Sequence, residues 1–439
     1  MNIAESAALK LAAQEQGWAE ADNPDDADLV LLNTCSVRIT AEERVYGRLA
    51  HYAALRKKGG SFILVLAGCM AERTREKIKQ DFPVIDYIMG TSERSQFPGI
   101  LQAAGQRRPL AETSEKPAFT FSSSHLEEGS FRSFVPIMHG CNNFCSYCIV
   151  PYVRGREISR SPQDIIREIR QAGEKGVREI TLLGQNVNSY KWEQGSDQCI
   201  TDFPRELDFP GLLRLIAKEV QKTPVKWLRF LSSHPKDFSQ KTIDAMAENQ
   251  VFCRHLHLCV QSGSNAILKA MNRRYTREQY LDLVSRLRSA MPGITLSTDI
   301  LVGFPGETEE DLEQTLKLME EVKFLYSYMY HFNPREGTAA FNMSGRVPDE
   351  IKHRRLAQVI ELQKIHTRNL LKNRLGSEAA VLIEGISKKN ADELITRTEK
   401  DEMAVVPGNG SWIGRFGSLR LDFLQGNTFR ARQLQLSDY

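Results

Sequence analysis

Apolar and polar positions divide the 439-residue chain into stretches of different rhythm. Over residues 1–110, segments of helical period alternate with short apolar runs. Helices are predicted over 4–17, 40–58 and 70–80, and strands over 28–33 (DLVLLN), 61–67 (SFILVLA) and 85–89 (IDYIM). The strand candidates are apolar runs rather than clean alternations, which marks strands covered on both faces and predicts a parallel sheet flanked by helices. Residues 105–130 are polar, with Pro, Ser, Glu and Gly, and read as a linker. A second alternation occupies the next two hundred or so residues. Its strands are predicted at 132–138, 178–183, 227–231, 254–259, 294–301 and 325–331. Its helices lie near 162–175, 209–222, 236–248, 263–271, 276–290 and 308–321. Six such repeats suggest a complete or partial parallel barrel, with its site at the C-terminal ends of the strands. Residues 348–374 form a basic amphipathic helix, and from 377 onward short strands with turns at Gly385, Pro407-Gly408 and Gly426-Asn427 fit a small antiparallel β-barrel.

The pattern therefore reads as an α/β multidomain protein. An N-terminal domain over 1–110 is followed by a linker over 111–130, a barrel over 131–345, a connecting helix over 346–374 and a small β-barrel over 375–439. With 41% hydrophobic and 26% charged residues, wholesale disorder is excluded. The longest apolar run, Phe62 to Ala71, is far short of the roughly 20 residues a membrane span needs. The N-terminus shows no basic segment followed by an apolar stretch, so a cytoplasmic protein is expected. A net charge of +3 is too mild to imply a nucleic-acid partner by itself, but residues 346–374 hold eight Lys/Arg against three Asp/Glu, and Arg154, Arg156 and Arg160 form a second basic group. Either patch fits phosphate binding, and either alone fits a solvated face equally well.

Eight cysteines are present, and Cys141, Cys145 and Cys148 fall within eight residues as CxxxCxxC after a predicted strand. Three thiolates in one loop can wrap a metal centre. A structural zinc site wants four ligands, for which His139 is the candidate fourth. A 4Fe–4S cube held by three cysteines leaves one iron open to chelate the amino and carboxylate groups of S-adenosylmethionine, and the spacing favours this reading. Cys35 and Cys69 sit at equivalent places, each just past a strand end, where open α/β sheets hold ligands. Cys253 and Cys259 fit no ligand spacing and read as buried small hydrophobes, while Cys199 lies in a polar loop.

Several runs resemble one family. They are Asn33-Thr-Cys35-Ser-Val-Arg38, Ala67-Gly-Cys69-Met-Ala71, Val135 to Glu157 around the cysteine loop, Leu183-Gly184-Gln185-Asn186-Val-Asn188, Ser232-Ser-His234-Pro, Gln261-Ser-Gly-Ser264 and Thr298-Asp299 through Thr308. Together they resemble the radical S-adenosylmethionine methylthiotransferases, most closely the tRNA-modifying branch that acts on N6-isopentenyladenosine. The branch acting on threonylcarbamoyladenosine is the runner-up, followed by the one acting on a ribosomal-protein aspartate; a non-catalytic iron–sulfur RNA-binding protein is the non-enzyme alternative. Residues from 377 on, with Lys388 and Lys389, resemble the small RNA-binding barrel called TRAM. The resemblance implies two 4Fe–4S clusters. One, on Cys141, Cys145 and Cys148, reductively cleaves S-adenosylmethionine to a radical that takes hydrogen from C2 of the adenine beside the anticodon (position 37 by analogy). The other, on Cys35, Cys69 and a third cysteine, presents the sulfur, and a second S-adenosylmethionine supplies the methyl group. The family's first cluster cysteine lies after an opening strand. The start Met1-Asn2-Ile-Ala-Glu5-Ser6 resembles the family's residues immediately C-terminal to that cysteine. The first strand and first ligand are thus expected to be missing through a misplaced start codon or a truncated sequence, the alternative being a two-cysteine site completed by another ligand.

The implied partners are tRNA and a one-electron donor such as flavodoxin or ferredoxin, with no membrane and a monomeric enzyme. Tyr147, the aromatic before the last cluster cysteine, belongs to the implied cofactor site. So do Gly184, Gln185 and Asn186, which equally fit a tight turn, along with Ser232, Gln261 and Asp299. Asp299 is a charge inside an otherwise apolar strand, which is costly unless paired or functional. Ser264 and Thr308 are explained by helix capping alone, and His234 and Arg335 are further candidates. Arg154, Arg156, Lys388 and Lys389 are the expected RNA contacts.

Overall fold

The computed structural model describes residues 2–36, 39–106, 119–121, 129–194 and 204–437. Cys199, Val37, Arg38 and most of the linker expected over 111–130 lie outside these residues. The N-terminal part runs α1 (Asn2–Glu15), β1 (Leu29–Thr34), α2 (Ile39–Lys57), β2 (Ile63–Gly68), α3 (Cys69–Asp81), β3 (Tyr87–Met89) and α4 (Phe97–Gly105). The strands form a parallel sheet in the order β1-β2-β3. Alternate residues of the central strand feed two cores. Leu64 and Leu66 pack with Leu49, Tyr52, Met70 and Ile78, while Val65 and Ala67 pack with Leu9, Phe97 and Leu101. Being covered on both faces is what made the strand apolar at every position. The sequence pattern did not show α4.

The central part carries six parallel strands: β4 (Arg132–Pro136), β5 (Glu179–Leu183), β6 (Trp227–Phe230), β7 (His255–His257), β8 (Thr295–Val302) and β9 (Tyr326–His331). β4-β5-β6 and β7-β8-β9 are two three-stranded sheets, and parallel bridges Leu228↔Phe252 and Ser233↔Leu258 join them into one open arc. A short helix, α5 (Val150–Arg154), comes directly after the cysteine loop. Outside the arc lie α6 (Pro162–Glu174), α7 (Phe209–Val220), α8 (Gln240–Glu248), α9 (Asn265–Ala270), α10 (Arg277–Ala290) and α11 (Glu309–Val322). Each opens on a side-chain cap: Ser161, Asp208, Ser239, Ser264, Thr276 and Thr308. Capping thus accounts for Ser264 and Thr308, as expected.

The long helix α12 (Asp349–Lys372) runs beside β9 into a seven-stranded terminal sheet. That sheet contains β10 (Glu378–Ile386), β11 (Glu393–Thr398), β12 (Met403–Pro407), β13 (Phe416–Arg420), β14 (Phe423–Gln425), β15 (Thr428–Arg430) and β16 (Leu434–Leu436). It is antiparallel except for the β12–β15 pair, which is parallel. The terminal unit sits on the N-terminal ends of the barrel strands. Arg397 bonds Glu179 at the start of β5 (2.7 and 2.9 Å), Phe416 meets Trp227 at the start of β6, and Lys400 O accepts from Thr295 at the start of β8. The opposite rim, at the C-terminal ends, is left for the cysteine loop.

Candidate functional site

The cysteine loop is held at both of its limbs. Met138–His139 pairs antiparallel with Ile158–Ser159 at its base. Gly140 has φ +78°, and a Cβ there would lie 2.0 Å from Arg156 O, so only glycine lets the limbs close. Ser146 donates to Ala270 O (2.8 Å) and Asn272 to Phe144 O (2.9 Å), tying the loop to the end of α9. Burial pushes the Cys141 thiol up to about 11 and the Cys148 thiol up to about 12. Ligation must therefore displace protons from these buried sulfurs. Arg273 donates to Cys145 Sγ (3.4 Å) and is itself fixed by Tyr275 Oη (3.1 Å) and Cys259 O (2.7 Å).

Among the described residues, the only three His/Cys/Asp/Glu donor atoms within 4.8 Å of one another are those of His257, Cys259 and Asp299. The loop thiols are spread wider than that. Three cysteine thiols held in one loop fit a 4Fe–4S cube with one iron left open. His139 lies stacked on Phe119, with centroids 3.6 Å apart, and Arg94 and Arg154 help burial hold its pKa down to about 3. It belongs to the docking contacts of the N-terminal domain, not to the thiols.

The cofactor-site candidates gather at the C-terminal rim. Gly184, after β5, has no room for a side chain, since a Cβ would lie 2.4 Å from Met138 Cγ. Gln185 Oε1 accepts from Gly140 N (2.6 Å) and so steadies the cysteine loop. Asn186 is buried, donates to Asp237 (2.8 Å) and leaves its Oδ1 without a partner. Ser232 and Gln261, after β6 and β7, are non-glycine residues at φ +65° and +73°. Phe144 in the loop is at +49° and Gly303 after β8 at +70°. Left-handed backbone thus occurs at three strand ends and in the cysteine loop, as at functional sites. Tyr147 is half-buried and packs with Met271, Phe304 and Phe332. His234 accepts from Lys236 N (3.2 Å) and is kept neutral by burial and by Arg273.

Cys35 and Cys69 each follow the end of one of two paired strands. Thr34 lies opposite Gly68 in the β1–β2 register, so the two thiols occupy matching positions one residue on. Gly68 is at φ +95°, and a Cβ would lie 2.5 Å from Thr34 O. Arg154, expected to bind RNA, is instead buried. It donates to Cys69 Sγ (3.3 Å) and forks onto Glu5 (2.6 and 3.2 Å). Arg94 also pairs with Glu5, and the two guanidiniums hold that buried carboxylate down at about 2. Ile149 and Val153 of the α5 region pack on Cys69, and Arg335 reaches Glu42 of α2 (3.0 Å). One short helix therefore separates the two thiol sites.

Arg156 does face solvent, its guanidinium 4.5 Å over the Phe144 ring, with exposed Tyr152 edge-on to that ring at 5.9 Å. Lys388 and Lys389 are exposed on the β10–β11 loop. The basic helix is a partial correction. Lys352 pairs with Asp349, Arg355 with Glu307 and Glu309, and Arg374 with Glu402, whereas exposed Arg368 and Lys372 have no ion-pair partner among the described residues. Cys259 is also corrected. It is not a plain core residue, for its sulfur lies 3.2 Å from His257 Nε2, whereas Cys253 is buried among Trp227, Leu382 and Phe416. Sequence reasoning missed Glu5 and Arg273, whose partners Arg154 and Cys145 lie 149 and 128 residues away.

Residues 135–319 match the Radical SAM superfamily, residues 372–433 the TRAM domain and residues 1–90 the Uncharacterized protein family UPF0004. A tRNA-2-methylthio-N(6)-dimethylallyladenosine synthase of Treponema denticola is 49% identical over 98% of this chain and 97% of its own. Proteins of the same name from Treponema pallidum and Desulfitobacterium hafniense are 47% and 40% identical, over 99% and 92% of this chain and 97% and 88% of theirs. Among solved structures, the radical S-adenosylmethionine methyltransferase TsrM of Kitasatospora setae superposes with TM-score 0.58 at 15% identity, covering 76% of this chain and 73% of that one, a likeness of fold.

Proposed function

The chain belongs to the tRNA-2-methylthio-N(6)-dimethylallyladenosine synthases, and on that premise we propose how its own residues divide the work. The enzyme methylthiolates N6-dimethylallyladenosine in tRNA, at C2 of the base beside the anticodon, using S-adenosylmethionine and 4Fe–4S clusters. Cys141, Cys145 and Cys148 hold the first cluster, which when bound supplies one electron to S-adenosylmethionine. Cys35 and Cys69 provide two ligands of the second. The observation that carries this reading is the single helix, Val150–Arg154, lying between the two thiol sites.

Arg273 fixes Cys145 while Gln185 fixes the loop, so the sulfurs are positioned before any ligand arrives. Gly184, Ser232 and Gln261 bring bare or left-handed backbone to the mouth, where they would hold S-adenosylmethionine. Phe144, Tyr152 and Arg156 form an exposed aromatic–cation step at its edge, the kind of surface on which a base splayed from a single-stranded loop stacks. Arg368, Lys372, Lys388 and Lys389 take phosphates farther along the tRNA. A flavodoxin- or ferredoxin-type donor, a cytoplasmic location and a monomeric enzyme go with this reading.

The test is mass spectrometry of tRNA nucleosides from a strain lacking its own synthase and carrying this chain. The methylthio form of dimethylallyladenosine is expected, and it should vanish with Cys148→Ala. Methylthiolation of threonylcarbamoyladenosine alone, or of a ribosomal-protein aspartate alone, would overturn the reading.

A further inference from the structure

We propose that His257, Cys259 and Asp299 form a binding site for a single divalent transition-metal ion of the zinc class inside the central barrel. The three donors lie on one face of adjacent strands. His257 pairs with Ser297 in the β7–β8 register, and Cys259 and Asp299 each come two residues later, where side chains return to the same face. His257 Nε2 is 3.2 Å from Cys259 Sγ and 3.7 Å from an Asp299 oxygen, and all three donor atoms lie within 4.8 Å of one another. Bonds of roughly 2.0–2.3 Å around a tetrahedral ion separate ligand pairs by about 3.3–3.8 Å. The set therefore closes on one ion with little movement.

The donor chemistry agrees. A thiol, an imidazole and a carboxylate together suit a borderline cation rather than calcium or magnesium. The imidazole is also oriented as a ligand. Its Nδ1 is bonded to Ser297 Oγ (3.0 Å), which leaves Nε2 as the atom aimed at the other two donors. Ser297 in turn is bonded to His255 Nε2 (2.9 Å), so the outer support is fixed from below. Asp299 has its other oxygen within 3.5 Å of Gln261 Nε2. Asp299 is partly buried, and among the described residues its one ion-pair partner is His257, so a cation held between them would balance its charge. Three protein ligands leave a fourth position for an exogenous donor. The main chain of Cys259 and the sulfur of Cys145 are bonded to the same Arg273 guanidinium, so the proposed site and the cysteine loop share one support. None of the three ligands belongs to either thiol site, so this inference stands or falls apart from the assignment of the clusters.

The test is titration of the enzyme, with its clusters assembled anaerobically, with Co(II). One equivalent is expected to bind, with a thiolate-to-cobalt charge-transfer absorption. Cys259→Ala should remove that absorption with the iron content unchanged, and His257→Asn should weaken binding at least tenfold. Ser297→Ala should weaken it by roughly tenfold while keeping the spectrum, as loss of an orienting partner does. Cys253→Ala, the loss of a buried thiol elsewhere, should leave binding intact. Failure of the native enzyme to bind cobalt beyond its iron, or an unchanged absorption in Cys259→Ala, would overturn the proposal.

Discussion

At the scale of single residues, the strongest constraints are places where a side chain has no room or a charge has no water. Gly68 is one. Its φ of +95° and the Thr34 carbonyl 2.5 Å from any Cβ make Gly68→Ala a strained substitution, at about 1–3 kcal/mol. Because Cys69 is the next residue, iron analysis of that variant should show loss of the N-terminal cluster while the loop cluster remains. Glu5 is another. Its pKa of about 2 lies below the ordinary glutamate value of 4.5, so the linkage stabilises the docked N-terminal helix fully above pH 4.5 and is lost as pH falls toward 2. Arg154→Met leaves that carboxylate with Arg94 alone and should cost about 3–5 kcal/mol, as breaking a buried pair does. A double variant with Glu5→Gln should recover part of the loss in denaturant titrations, and strict additivity would count against the pairing. The cysteines and glycines were legible because their chemistry is local. Arg154 was misread because its partners, Glu5 and Cys69, lie 149 and 85 residues away.

Whole elements were more legible than residues, and for a physical reason. Every helix outside the barrel arc opens on Ser, Thr or Asp, and the strands were visible as apolar runs because both their faces are covered. The five-residue α5 escaped, being too short for a helical period to register, though it is the element between the two thiol sites. The helix α12 was seen but its charges were over-read. Arg355 is buried against Glu307, so its positive charge is already spent, whereas Arg368 and Lys372 are exposed. Reversing Arg368 and Lys372 to Glu should therefore weaken tRNA binding and lower the slope of log K against log salt by roughly one for each lost phosphate contact. Thermal stability should be unchanged. An unaltered slope in filter-binding across salt would remove α12 from the RNA surface. Reversing Arg355 should instead destabilise the fold, by opposing two carboxylates in place of pairing with them.

For the whole molecule, the placement of the terminal barrel changes what that domain is for. Its resemblance suggested an RNA module, and its sequence is nearly neutral, which left that role unexplained by charge. The structure adds a second role, closure of the barrel's N-terminal end. Arg397 lies at the centre, bonded at once to Glu179 of the central barrel and to Glu384 and Asp401 of the terminal one. Arg229 reaches the other way, from β6 to the carbonyls of Thr398 and Glu399. Around this network Trp227, Cys253, Leu382 and Phe416 form an apolar seam shared by both units. Neither domain can therefore melt alone without stranding charge and uncovering that seam. Asp401, held well below the usual carboxylate range by His255, Arg229 and Arg397, would lose part of its support. Arg397→Met should cost about 3–5 kcal/mol, since the buried Glu179 and the partly buried Glu384 and Asp401 would share one fewer cation. Calorimetry should show the central and terminal units unfolding in a single transition that moves down together. If the variant instead lost tRNA affinity at unchanged stability, Arg397 would be an RNA contact and the closure role would fall.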